Sequence, residues 1–290
     1  MGRFASSIAF LATLVLVLLA AGCGQRFDRG PGNAPAPGDL AADALAELRE
    51  AGSAHFVADL KTETEGAALP VAVHVEGDAS RTAIDAEGSV TFGGFTVQGR
   101  VLAGEHALFL EFGGRWYGDK TQGITDAFED AQEDHHGQVW NELATPEGLR
   151  RNFAKLFEGE VSEGPEIDGS ATWKFEGKFN ADGVVEFARR FDAEPTPEEV
   201  ETFRLVAEAS HVLLVVGQED QLPRRLELSV ELSDDAVEKL KDEAPLNFDS
   251  TESFSSTLEL SEFGKSVEIE APADVRPLDE LFEDLFGSFE

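Results

Sequence analysis

One cysteine, one methionine and one tyrosine occur in the 290 residues, and basic residues are scarce, 23 Lys and Arg against 57 Asp and Glu. The formal charge is −34 and the isoelectric point lies near 4.3. Clustered Lys and Arg, which phosphate contacts need, are missing, so nucleic-acid binding is excluded. With Cys23 alone, no intramolecular disulfide can form. Also absent are G-x-S-x-G, H-E-x-x-H, G-x-x-x-x-G-K, C-x-x-C and an EF-hand loop, so no familiar nucleophile, zinc, phosphate or calcium motif is present. Disorder throughout is not expected, because 42% of residues are hydrophobic and 22 are Phe, enough to bury a core.

The position of the lone cysteine matters more than its number. It follows a segment, 1–22, with Arg3 as a short basic region, an apolar run from Ile8 to Ala21 broken only by Thr13, and then Ala20-Ala21-Gly22-Cys23. The run is short for a spanning helix of about 20 residues and fits a secretory core of about 7–15. Small residues before a cysteine are similar to the lipobox of bacterial lipoproteins, with Ala20 where Leu is commoner. That resemblance implies a signal peptide over 1–22, removal of that segment, and a diacylglycerol on the Cys23 thiol. Residues 23–38 contain four Gly and three Pro and read as a flexible tether. The mature chain would then sit at the extracytoplasmic side of the cell membrane, held by its acyl group. Its own acidity would repel an anionic lipid surface within about one Debye length.

A single domain is expected over 39–276. It opens with a helix from Leu40 to Ala51, capped by Asp39 and stopped at Gly52, with Leu40, Ala44, Leu45 and Leu48 on one face. The period then falls to two: Phe56-Ala58-Leu60, Val71-Val73-Val75 and Ile84 to Phe92 alternate with polar residues, and Phe95–Ala103 and His106–Phe112 continue the meander. From Thr121 to Phe157 the spacing of Leu149, Phe153, Leu156 and Phe157 predicts helix. Strands return at Ala171–Phe179, two helices follow from Asn180 and after Pro197, and strands resume at Val212–Val216, Leu226–Leu232, Phe254–Leu260 and Val267–Ile269, with a short helix at Asp234–Lys241 between. About ten strands, each with one apolar face, predict an α+β fold: a large curved antiparallel sheet with helices across its apolar concave side. Residues 277–290 predict an acidic amphipathic helix carrying Leu278, Leu281, Phe282, Leu285, Phe286 and Phe289, either docked on the body or acting as a gate.

The order of these features resembles the LppX/LprG-type lipoproteins of the mycobacterial and wider actinobacterial envelope. The resemblance rests on the lipobox, Ser53-Ala54-His55-Phe56-Val57, Leu108-Phe109-Leu110 with Trp116-Tyr117, the mid-chain helices, and Val267-Glu268-Ile269-Glu270-Ala271-Pro272 before Pro277-Leu278. It covers about residues 39–278. It implies a half-open β-barrel closed by helices, similar to the LolA and LolB carriers, that holds lipid or glycolipid acyl chains in an apolar cavity. No residue but Cys23 inherits a role from it.

Phe brings bulk without a hydroxyl that needs a partner. Candidate cavity-lining residues are therefore Phe56, Val73, Val90, Val97, Trp173, Phe175, Leu228 and Leu258 on the strands, with Phe153, Phe187 and Phe203 on the helices. His55, His74, His106 and His211 fall on or beside strands and read as solvent-facing. Glu129, Asp130, Glu133, Asp134, His135 and His136 form a metal-like cluster that reads better as a solvated helix end. No catalytic residue, resident metal or cofactor is expected. Two function classes follow: a non-catalytic, acyl-anchored lipid carrier or sensor, or an acidic interaction module with a filled core that meets a cationic partner or Ca²⁺. An enzyme is a distant third.

Overall fold

The computed structural model describes residues 34–64, 70–119, 145–191, 195–241, 251–278 and 280–281. Signal segment, Cys23, most of the tether, the Glu129–His136 cluster and residues 282–290 lie outside them. Helix α1 spans Pro37–Ala51. It is followed by β1 (Ser53–Thr64), β2 (Val71–Ser80), β3 (Ile84–Phe92), β4 (Phe95–Gly104), β5 (Ala107–Phe112) and β6 (Arg115–Asp119). Then come α2 (Pro146–Phe153), β7 (Phe157–Glu163), β8 (Thr172–Phe179), α3 (Ala181–Phe191), α4 (Pro197–Glu208), β9 (Ser210–Gly217) and β10 (Pro223–Glu231). The last elements are α5 (Asp234–Lys241), β11 (Thr251–Ser261) and β12 (Val275–Arg276).

All the strands join one twelve-stranded sheet in the order β12-β6-β5-β4-β3-β2-β1-β11-β10-β9-β8-β7. The expected antiparallel meander is present, and a parallel β12–β6 pair at one edge makes the sheet mixed. The edges β12 and β7 do not pair with each other, so the sheet is not a closed barrel.

Period-two alternation sorts each strand into an apolar and a polar face, and the registers align those faces across the sheet. One row runs Val161, Phe175, Leu214, Leu226, Leu258, Ala58 and Val75. The next runs Val212, Leu228, Ser256, Leu60, Val73, Val90 and Val97. Polar-phase residues pair on the opposite face: His55 Nδ1 lies 3.0 Å from Asp78, His74 Nδ1 lies 3.0 Å from Asp59, and Arg100 makes two bonds to Asp85.

Helix α1 packs against β1, β7, β9, β10 and α2. Its Leu48 lies in a buried cluster with Ala54, Phe56, Ala79, Ala86, Leu258 and Leu260. Its Leu40 and Ala44 lie in another with Phe175, Val212, Leu214 and Val216, against which Val161 packs. Together these clusters run from β3 to β7, eight strands that would span about 34 Å if flat. The helix is only about 22 Å long, so the sheet curls around it. On the far side of α1, Ala42 and Leu45 meet Leu149 of α2, with Phe153 and Phe187 against them. The helix is thus buried on two sides, and the Asp43 carboxylate accepts bonds from Arg150 Nε at 2.9 Å and Nη2 at 2.6 Å.

The structure corrects several boundaries. Helix α1 starts at Pro37, with Ala36 in the N-cap position without a side-chain cap bond and Asp39 inside the first turn; a proline fits N1 because that N–H needs no partner. Gly52 ends it in the left-handed conformation, φ 76°. Helix α2 stops at Phe153, and Phe157 opens β7 instead of closing a helix. Its ring joins Phe153, Phe175 and Phe179 at centroid distances of 6.1, 5.6 and 5.6 Å, a reward that overrides the helical spacing. No strand forms at Val267–Ile269. That stretch is an irregular strap whose Ile269 lies against Gly104 on the polar-phase side of β4, where Leu102 and Phe109 are buried. Of the predicted C-terminal helix the described residues 278, 280 and 281 are helical; Leu281 is buried and Arg276 pairs with Glu280 at 3.2 Å.

Candidate functional site

All but one of the candidate lining residues, Phe203, separate into two groups. Phe56 and Leu258 belong to the cluster around Leu48. Phe175 belongs to the cluster around Leu40, and Trp173, Leu228 and Phe153 pack against it. Phe187 packs against Leu149 and Leu45. These positions are committed to core around α1. Phe175, only 1% exposed, lies flat on the sheet, because a side chain at Gly159 or Gly177 would collide with its ring.

Val73, Val90 and Val97 form the second group, in direct register across β2, β3 and β4. They continue the row that starts at Val212 and Leu228, yet none of the three belongs to the buried clusters of the described residues. Phe203 is half-buried on α4, which packs against α3 and β8. Sequence reasoning passed over Leu60 and Val212, which occupy the same row; the alternation that nominated Phe56 and Leu258 would have found both. It also treated α1 only as an entry helix, although its Leu40, Ala44 and Leu48 are central to the core.

A cavity of about 180 Å³ lies at the other end of β1, lined by Ser53, Ala54, Asp78, Glu262, Lys265, Ser266 and Val267. None of the candidate lining residues borders it. Ser53 Oγ donates to the Lys265 carbonyl at 2.5 Å, and Lys265 Nζ donates to Glu262 at 2.5 Å. The ammonium of Lys265, with a smaller contribution from His55, holds the Glu262 carboxyl below the usual carboxylate range. So polar a lining suits water, not an acyl chain. Burial pushes the Arg49 guanidinium down to about 10, with the neighbouring charge of Arg81 acting in the same direction. Arg81 donates to the Arg49 carbonyl, which ties the end of α1 to the turn after β2.

Among the described residues no group of three or more His, Cys, Asp or Glu is placed to hold a metal ion. No helix among them is long and apolar enough to cross a membrane. What the candidate residues form is an apolar sheet face, covered by α1 near β1's start and less deeply buried towards the β3–β4 turn.

No family model matches the sequence, and no curated protein matches it. Solved structures do. One of them is a mycobacterial lipoprotein. The chain is similar to LppX of Mycobacterium tuberculosis at 13% identity and TM-score 0.41, over 81% of this chain and 100% of that one. It is similar to LprF of Mycobacterium bovis at 13% identity and TM-score 0.40, over 83% and 100%. A protein of the DUF1329 family from Desulfovibrio piger follows at 9% identity and TM-score 0.22, over 82% and 96%. At such distances, the architecture rests on this chain's own strands and registers.

Proposed function

We infer that this chain is an envelope lipoprotein, acylated on Cys23 and held at the extracytoplasmic side of the membrane. It binds lipid or glycolipid acyl chains on its apolar sheet face and carries or senses them without catalysis. The observation that supports this most is the part of that row outside the clusters around α1, Leu60, Val73, Val90 and Val97, in register across four neighbouring strands. Such a face offers nothing to a polar substrate, whereas each buried methylene contributes about 0.8 kcal/mol. A long chain laid along it would be held firmly without any charged contact.

One feature favours a second reading. Helix α1 already occupies the middle of the sheet, so an acidic module with a filled core, meeting a cationic partner or Ca²⁺ through its surface, accounts for the same packing. Native mass spectrometry of the chain from Gly24 onward, purified from a lipid-containing host, separates the two. Lipid at fixed stoichiometry that survives mild washing supports the carrier and names the ligand class. A bare polypeptide mass that stays bare after incubation with phospholipid, acylglycerol and glycolipid supports the interaction module.

A further inference from the structure

Phe92 and Phe95 are the exposed large hydrophobic residues of the described chain, at 41% and 72%. They are the last pair of the β3–β4 hairpin, and their ring centroids lie 6.4 Å apart. Between them Gly93 and Gly94 turn the chain with φ of 53° and 83°, values that glycine adopts without strain and that suit a tight hairpin. Beneath, the Thr91 and Thr96 hydroxyls bond at 2.9 Å, which fixes the register of the tip.

On the β5 side the tip also projects, whereas on the β2 side Val71 pairs with Phe92 and Thr62 with Val71, so β2 and β1 reach the same level. Gly99 is opposite Phe112, beside the β5–β6 turn at Gly113 and Gly114. The β3–β4 hairpin therefore runs on from Gly99 to Phe95, about 13 Å beyond that turn. Residues 88–99 contain no Asp, Glu, Lys or Arg, and neither do residues 70–75, in a chain of net charge −34. Val71 pairs with Phe92, so the two uncharged stretches lie side by side at one end of the sheet.

We propose that the β3–β4 hairpin tip docks into the headgroup–acyl boundary of a lipid bilayer, with the Phe92 and Phe95 rings as the inserted groups. The charge pattern selects this occupant. An acidic body is repelled by an anionic or acidic neighbour, and a charge-free tip with two rings has nothing to offer a cationic one, whereas exposed phenylalanine rings on an uncharged tip partition into the interface. Chain length agrees. Residues 24–36 between Cys23 and α1 reach at most about 45 Å, so an acyl group on Cys23 would keep the tip within reach of the same membrane and raise its effective concentration there. The apolar row under the tip then opens towards the bilayer, so a lipid tail would pass between membrane and sheet without crossing water. The docking draws on the membrane location inferred above, but it stands apart from whether lipid is carried.

The test supplies the anchor independently of Cys23. The chain from Gly24 onward, which retains every described element, carries an N-terminal hexahistidine tag bound to nickel-chelating lipid in phosphatidylcholine vesicles with brominated acyl chains. In the Phe95→Trp variant the introduced indole should shift to shorter wavelength and be quenched beyond the background of Trp116, Trp140 and Trp173 in the unsubstituted chain. Adding Phe92→Ser should weaken vesicle docking about tenfold, with an unchanged urea midpoint as the folding control. Mixing in phosphatidylglycerol should lower the quenching, and salt should restore it. An indole that emits as in buffer and is quenched no more than the control overturns the proposal. So does self-association without vesicles that Phe92→Ser with Phe95→Ser abolishes, since the tip would then bind a second copy. A failure to find bound lipid by native mass spectrometry would sink the carrier reading and leave this one standing.

Discussion

The two ends of the apolar sheet face are built from different residues. Near the start of β1 the face carries four buried alanines, Ala54, Ala79, Ala86 and Ala103, beside Phe56, Leu258 and Leu260, with Leu48 inserted at 2% exposure. At the other end it carries Val71, Val73, Val90, Val97, Phe92 and Phe95, larger side chains that are mostly less buried. Small residues let the backbone of α1 approach the sheet, and the gain there comes from close packing. Large residues at the less covered end lie outside the clusters that α1 anchors, which is where the proposed binding face would need them. Bulk where burial is incomplete is the mark of a contact surface.

The packed end should break most easily. Leu48→Ala removes the one α1 side chain in its cluster, and a Leu→Ala change in a rigid core costs about 2–5 kcal/mol. We expect about 4, read as a fall in the urea midpoint with unchanged slope. Next comes Asp43→Ala, which leaves Arg150 facing α1 without the carboxylate that it now contacts at 2.6 Å. Breaking a buried pair costs about 3–5 kcal/mol, and since Arg150 is only partly buried a value near 3 is expected. Asp43→Asn, which keeps an acceptor, should recover part of it.

A matched enlargement sharpens the contrast. Ala79 is 0% exposed, and Ala79→Leu forces side chains into space that α1 and the sheet already fill, at about 2 kcal/mol. Val97→Leu should cost less than about 0.5 kcal/mol, because it adds one methylene where packing is loose. Equal costs at the two positions would show that the ends are packed alike and would remove the argument for a binding face.

What could be read in advance follows physical lines. Strands β1, β2, β3 and β8 alternate over a buried and a solvated face, so their residues announce both period and side. Helix α4 was equally plain: Thr196 and Glu199 form a reciprocal capping box with Pro197 at the first position, a local device that needs no tertiary context. Strand β7, with the sequence FEGEVSE, carries little apolar signal. Its place depends on Phe157 meeting Phe175 and Phe179 of its sheet partner β8, contacts that the β7 segment by itself does not announce. The strap around Ile269 misled for the opposite reason: it alternates like a strand, but the edge of β6 is taken by Val275 and Arg276. Of the candidate site, the apolar residues were legible and their division was not. Which of them α1 covers depends on where a helix sits across eight strands, and no spacing within one strand encodes that.

The smallest expected effect bears on the comparison most directly. Phe92→Ser with Phe95→Ser removes two aromatic rings, a change that in a core would cost several kcal/mol at each position. Here Phe95 is 72% and Phe92 41% exposed, so little burial is lost beyond their mutual cross-strand contact, about 0.2–1 kcal/mol for such a pair. The melting temperature should fall by no more than about 3 °C, since 1 kcal/mol moves a domain of this size by about 2–4 °C. A drop of 8 °C or more would mean that the tip is buried against something in solution. The open end would then be as packed as the end at Leu48, and the residues kept there would need no ligand to explain them. A near-silent pair of substitutions leaves two phenylalanines, at the point where folding gains least from them, as evidence of selection for contact outside the chain.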